Sequence, residues 1–223
     1  MDDTNIIGGV FGMDTSPRSL LTQLSGETKI HTSYLRFGND AKISGDFKTI
    51  QLLTKQGNTK LTRYYVVCTG ISFSGKILPI NPELFKLKPG IEGGFVFDSG
   101  SPATYLVEGA FNVLKKSVID YFGMKYNLHP FTERKLDYDL CYLGVPKRVV
   151  KPGMAYYFQG GSKFEVDPNS LFLTFKAKEG NMFCMNVMAV PNILGAYHQS
   201  NHVLLFDVEK NVVSFNPMPH ACI

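Results

Sequence analysis

Hydrophobic positions fall into short blocks rich in β-branched and aromatic residues: Tyr64-Tyr65-Val66-Val67, Phe95-Val96-Phe97, Phe172-Leu173-Thr174-Phe175, Met185-Asn186-Val187-Met188, Val203-Leu204-Leu205-Phe206 and Val212-Val213-Ser214-Phe215. Gly, Asn, Pro or Asp punctuates most of them, the pattern of strands separated by turns. The last two blocks are joined by Asp207–Asn211, a hairpin-length loop. Two stretches depart from this rule. Ser19–Leu24 lies between Pro17 and Gly26 and reads as a short helix. Between Val107 and Phe122, the residues Phe111, Leu114, Val118, Ile119 and Phe122 recur at helical spacing, and Gly123 is the expected stop. The pattern predicts a mostly β protein with two isolated helices.

A polar stretch from Asn39 to Thr62, with Gly38-Asn39, Ser44-Gly45 and Gly57-Asn58, is expected to join two structural units. The 21 glycines and 12 prolines suit many tight turns, and no internal repeat is visible. With 223 residues and 44% hydrophobic composition, a chain of this size buries roughly 70–75% of its unfolded surface without a metal or disulfide scaffold. No apolar run approaches the roughly 20 residues of a membrane-spanning helix. The net charge of +4 is scattered, with Lys115-Lys116, Arg134-Lys135 and Lys147-Arg148 as tight pairs, so no nucleic-acid partner is expected. Cys68, Cys141, Cys184 and Cys222 form no CxxC pair, which argues against a zinc or dithiol redox site and leaves buried thiols or long-range disulfides. Met1–Asn5 lacks the basic region and apolar stretch of a secretory signal.

The segment richest in chemistry is Gly93–Leu106, in which an apolar strand delivers Asp98 into the turn Ser99-Gly100-Ser101. Backbone N–H groups and hydroxyls in such a turn can surround and orient a carboxylate. Taken alone, Asp-Ser-Gly also reads as a turn that simply ends a strand. Farther along comes Asn192-Ile193-Leu194-Gly195, then Ala196-Tyr197-His198-Gln199.

In this order the two segments resemble the carboxyl-terminal lobe of pepsin-like aspartic proteases, in the plant nepenthesin-like and xylanase-inhibitor-like branch. Gly8–Met13 with Pro17–Leu24 is similar to the closing segment of that family's amino-terminal lobe. Tyr64-Tyr65-Val66 with Gly70–Lys76 resembles the inter-lobe strand and the first strands of the second lobe. The resemblance implies a mostly β, pepsin-like acid protease lobe with antiparallel sheets and two short helices, an incomplete bilobal fold. Residues 1–60 would be the remnant of the amino-terminal lobe and the junction, and 61–223 the carboxyl-terminal lobe.

The same resemblance implies the site. Asp98 matches the second catalytic aspartate, Ser99, Gly100 and Ser101 its supporting loop, and Ile193, Leu194 and Gly195 the apolar element that threads beneath that loop. Asp139–Tyr142 with Phe183-Cys184-Met185 resembles the family's disulfide-bearing core, implying a Cys141–Cys184 bridge. The usual partner of Cys222 would lie near Ser33–Leu35, where this chain has Leu35. Asp14-Thr15-Ser16, followed by Pro17, is not expected to serve as a first catalytic motif. Phe95 and Phe97 are expected to fill the core, and Tyr105 to join them or line the cleft. His198 and His202, four apart, are read as surface polar residues and not metal ligands.

The implied activity is that of an aspartic-type endopeptidase, hydrolysing peptide bonds with water activated between two Asp and needing no cofactor and no metal. Only the second Asp is recognisable in the sequence, so the chain alone is expected to be inactive as a monomer. A peptide or protein substrate would require a complete dyad, supplied by an amino-terminal lobe or by a second copy. The alternative is a non-catalytic inhibitor of the xylanase-inhibitor type, since one fold can serve both ends. Relatives imply an extracellular or vacuolar location.

Overall fold

The computed structural model describes residue 36 and residues 38–132, 138–144, 149–189 and 191–217. The expected helix at Ser19–Leu24, the Gly8–Met13 segment, Asp14, Cys222 and the basic pairs Arg134-Lys135 and Lys147-Arg148 lie outside them.

Much of the polar stretch before Thr62 is a hairpin. Lys48–Gln56 (β1) and Thr59–Val66 (β2) pair antiparallel, with Gln56 opposite Thr59. Gly57, at φ +58, opens the two-residue loop, where a tight hairpin turn requires a positive φ. Along β1, Ile50 and Leu52 are buried while Thr49 and Gln51 are exposed, the alternation of a half-buried strand. Cys68–Phe73 (β3) and Lys76–Ile77 (β4) follow, then the two-residue strands Leu87–Lys88 (β5) and Glu92–Gly93 (β6). Phe95–Phe97 (β7) and Thr104–Leu106 (β8) lead into the helix Glu108–Tyr126 (α1).

Helix α1 buries Phe111, Leu114, Val118 and Phe122 along one stripe. It does not stop at Gly123 as the sequence suggests. It runs to Tyr126, and Asn127 closes it with a left-handed φ of 52° and an N–H bonded to the Gly123 carbonyl. Asn shares with Gly the tolerance for that conformation, so the turn is made where the exposed end of the helix needs it.

Cys141–Leu143 (β9), Met154–Phe158 (β10), Lys163–Val166 (β11), the short helix Pro168–Leu171 (α2), Phe172–Ala177 (β12) and Gly180–Met185 (β13) come next. Met185–Met188 is two strands and not one. Asn186 leaves the ladder, giving its N–H to Leu171 O at 2.8 Å, and Val187–Ala189 (β14) joins a different sheet. Ile193–Leu194 (β15), Ala196–Gln199 (α3), His202–Asp207 (β16) and Val212–Pro217 (β17) complete the described chain.

The strands form an eight-stranded sheet in the order β14-β8-β15-β7-β2-β1-β17-β16, a four-stranded sheet β11-β10-β3-β4, a three-stranded sheet β12-β13-β9 and the pair β5-β6. One core lies among the larger sheets and α1. Phe95 and Phe97 from the eight-stranded sheet meet Tyr156, Phe158 and Phe164 from the four-stranded one at centroid distances of 5.4 to 6.1 Å. The Cys141–Cys184 disulfide joins β9 to β13 beside this core. No helix among the described residues is long and apolar enough to cross a membrane.

Candidate active site

Strand β7 is buried on both faces, so its register is fixed and the residue it delivers at its end is fixed with it. Phe95 and Phe97 lie in the main core, while Val96 packs with Leu61 and Tyr65 on the other side. Asp98 follows, half-buried, and the chain turns through the exposed Ser99 and Gly100.

Each carboxylate oxygen of Asp98 has its own donor. The Gly100 N–H reaches Oδ1 at 2.9 Å, and the Ser101 hydroxyl reaches Oδ2 at 3.1 Å. The turn is closed by the Ser101 N–H on the Asp98 carbonyl at 3.3 Å. Hydrogen bonds to an ionised carboxylate are among the stronger ones, so this arrangement orients the group as well as ending the strand. Ser99, although in the loop, remains on its exposed side.

Strand β15 inserts between β7 and β8, parallel to the first and antiparallel to the second. Leu194 O accepts the Asp98 N–H at 3.1 Å, and the Ala196 N–H returns to Ser101 O at 2.7 Å. The Gly195 N–H goes to Thr104 Oγ1 at 3.0 Å. The Ile193-Leu194-Gly195 element therefore lies against both ends of the Asp98 turn and holds its backbone in place.

Three polar side chains to which the sequence assigned no role take part. Asn192 is buried; its Oδ1 accepts the Val107 N–H at 2.8 Å and its Nδ2 donates to Leu84 O at 2.9 Å. Gln199 donates to Leu194 O at 2.7 Å. Thr104 is fully buried.

His198 is a correction to the sequence reading. It is 0% exposed, with Nδ1 3.0 Å from the Tyr156 hydroxyl of β10. The reason is packing: α3 sits beneath the Asp98 turn, and burial keeps the imidazole neutral, its pKa pushed down to about 3. His202 is partly buried, stacked on Phe164 at 4.1 Å. Tyr105 is half-buried at the centre of β8. Among the described residues no cluster of three or more His, Cys, Asp or Glu could hold a metal ion.

Residues 63–217 match the family described as xylanase inhibitor C-terminal. The chain is 27% identical to the aspartic proteinase nepenthesin-1 of Nepenthes gracilis over 93% of its own length and 49% of that protein. It is 22% identical to the aspartyl protease AED3 of Arabidopsis thaliana, over 95% of its length and 49% of that protein. It thus spans about half the length of these two curated relatives. A crystal structure of edgp superposes with a TM-score of 0.62 at 15% identity, covering 76% of this chain and 45% of that one. The fold is that of a pepsin-like carboxyl-terminal lobe.

Proposed function

The chain belongs to the xylanase inhibitor C-terminal family, homologous to plant aspartic proteases, and on that premise we propose that it carries the second catalytic aspartate, Asp98, of an aspartic-type endopeptidase. The observation that carries this reading is the pair of donors, Gly100 N–H and Ser101 Oγ, each assigned to one oxygen of Asp98.

One carboxylate is half of the chemistry. When a second approaches within a few ångström, the two cannot both ionise cheaply, and they share a proton while water binds between them. The deprotonated member takes a proton from the water as it attacks the peptide carbonyl, and the protonated member polarises that carbonyl. We assign the second carboxylate to an amino-terminal lobe, or alternatively to a second copy of the chain, so the monomer of this chain is inactive. In this reading residues 1–60 are the end of that lobe and the junction, and 61–223 the carboxyl-terminal lobe. The disulfide supports an oxidising location, outside the cell or in the vacuole.

The test is peptide cleavage at acid pH by the chain with and without a separately produced amino-terminal lobe. Cleavage is expected from the mixture, or from a dimer of the chain where a second copy supplies the carboxylate, and only with Asp98 intact; activity that survives Asp98→Asn, or that a monomer of the chain shows by itself, overturns the assignment. A second reading has its own support in the description of the matched family. As an inhibitor, the chain would block a xylanase stoichiometrically, and Asp98→Asn would leave that inhibition unchanged.

A further inference from the structure

Helix α3 carries two adjacent buried polar side chains, and each ties it to a different part of the fold. Gln199 holds the Leu194 carbonyl at 2.7 Å, the same carbonyl that receives the Asp98 N–H. His198 meets the Tyr156 hydroxyl at 3.0 Å. The buried Thr104 side chain also acts on Tyr156, and its Oγ1 accepts the Gly195 N–H at 3.0 Å. The helix that begins at Gly195 is thus tied by His198 to the four-stranded sheet and by Gln199 to the strand beneath the Asp98 turn.

We propose that His198 is a proton-controlled latch: its neutral imidazole fastens α3 to Tyr156 and holds Gly195 and the Asp98 turn in place, and protonation releases them. The chemistry of the ring gives the direction. In the neutral form one nitrogen donates and the other accepts, whereas in the imidazolium both donate. Nε2 is buried without a hydrogen-bond partner among the described residues, so in the imidazolium, where both nitrogens carry protons, the one on Nε2 has no acceptor. A lone buried donor with a full charge is among the most costly groups a core can hold.

The surroundings offer the cation no relief. On β10, Tyr156 is itself held neutral by burial, and Cys68 of β3, which acts on Tyr156, is a buried thiol. Asp167 beside α2 and Glu165 on β11 act on His202, whereas burial alone acts on His198. Two links run from α2 to the end of α3: a hydroxyl pair between Ser170 and Ser200 at 2.7 Å, and Asn201 Nδ2 donating to the Asp167 carboxylate at 2.8 Å, a charge that acts on His202 and not on His198. Opening the latch to water is the way for His198 to accept its proton.

This inference deepens the Asp98 reading and takes from it only the importance of the turn; its test reads backbone protection, so it stands or falls separately from catalysis. The measurement is amide hydrogen exchange on the full chain at pH 6.5 and 4.5, corrected for intrinsic rates. With an ordinary imidazole in the open state and a neutral one in the closed state, linkage makes opening about fifty-fold more favourable at the lower pH. Protection of the Asp98, Gly195 and Ala196 amides is expected to fall by that factor while the β12–β13 amides hold. His198→Gln, which can bond Tyr156 without titrating, is expected to flatten the response, and His202→Gln to leave it intact. Protection independent of pH, an equal fall in β12–β13, or a slope that survives His198→Gln would each overturn the latch. Should the Gln variant fail to fold, Tyr156→Phe serves: low protection at both pH values supports the latch, and a wild-type slope refutes it.

Discussion

A Cβ placed on Gly195 would stand 2.0 Å from the carbonyl oxygen of Ala103 and 2.8 Å from that of Ser101. Gly195 has an ordinary φ of −84°, so it is not backbone strain that requires glycine here. It is the passage of one backbone directly over another, with both contacting atoms in main chain that cannot rotate aside. Gly195→Ala is therefore expected to destabilise by about 3–5 kcal/mol, at the severe end for a single methyl. Urea denaturation checks it, and a wild-type midpoint would mean that β15 does not run beneath the turn.

The bridge between Cys141 and Cys184 closes a loop of 43 positions. In the loop-entropy description a constraint of that span contributes about 4 kcal/mol. The same two strands also stack Tyr142 on Phe183 at 5.0 Å, which keeps β9 partly docked after reduction. The expected loss on replacing both cysteines by Ala is accordingly about 3–4 kcal/mol. Denaturation with and without reductant measures it, and an unchanged midpoint would contradict the prediction.

How much could be read in advance depended on whether a residue's role was set by its neighbours in sequence. Phe95-Val96-Phe97 is a compact apolar block, so the strand and the Asp98 turn at its end were legible. Ile193-Leu194 is too short for any periodicity, and only the resemblance picked it out. The strands of the β1–β2 hairpin left no signal in the polar stretch that holds them, because its outward faces carry Lys, Thr and Gln, which dilute the alternation of Ile50 and Leu52. His198 and Asn192 left no signal at all. A four-residue helix shows no buried face in sequence, and the partners of both side chains come from distant segments.

Cys68 gives the fold a dependence on alkaline pH. Burial pushes its thiol from 9.0 up to about 12, against the weaker opposing effect of a backbone hydrogen bond with Gly70. Between those values the unfolded chain has lost the proton and the folded one has kept it, so stability is full below pH 9 and falls as pH rises. From pH 8 to 10.5 the loss assigned to this one group is about 2 kcal/mol. Comparing urea midpoints of the wild type and Cys68→Ala across that range isolates it: the variant is expected to show the shallower decline. Parallel declines would mean that the thiol is not buried in solution.

Asn192 draws three segments together: the Leu84 carbonyl in the turn before β5, the Val107 N–H at the start of α1, and, through its own carbonyl, the Val96 N–H at 3.2 Å. Its amide is used in both directions, as donor and as acceptor, and this distinguishes two nearly isosteric replacements. Asn192→Asp keeps the acceptor for Val107 but sets a carboxylate oxygen against the Leu84 carbonyl at a position only 3% exposed. Asn192→Leu loses both bonds yet introduces no charge. Leaving buried partners unsatisfied costs about 1–3 kcal/mol each, and more where a charged group is forced into the site. The Asp variant is therefore expected to be the less stable of the two at neutral pH and to recover as its carboxyl is protonated in acid, while the Leu variant shows no such recovery. Thermal denaturation of both at pH 7 and pH 4 checks the order; an Asp variant as stable as the wild type at pH 7 would show that the Leu84 contact does not carry the load assigned to it.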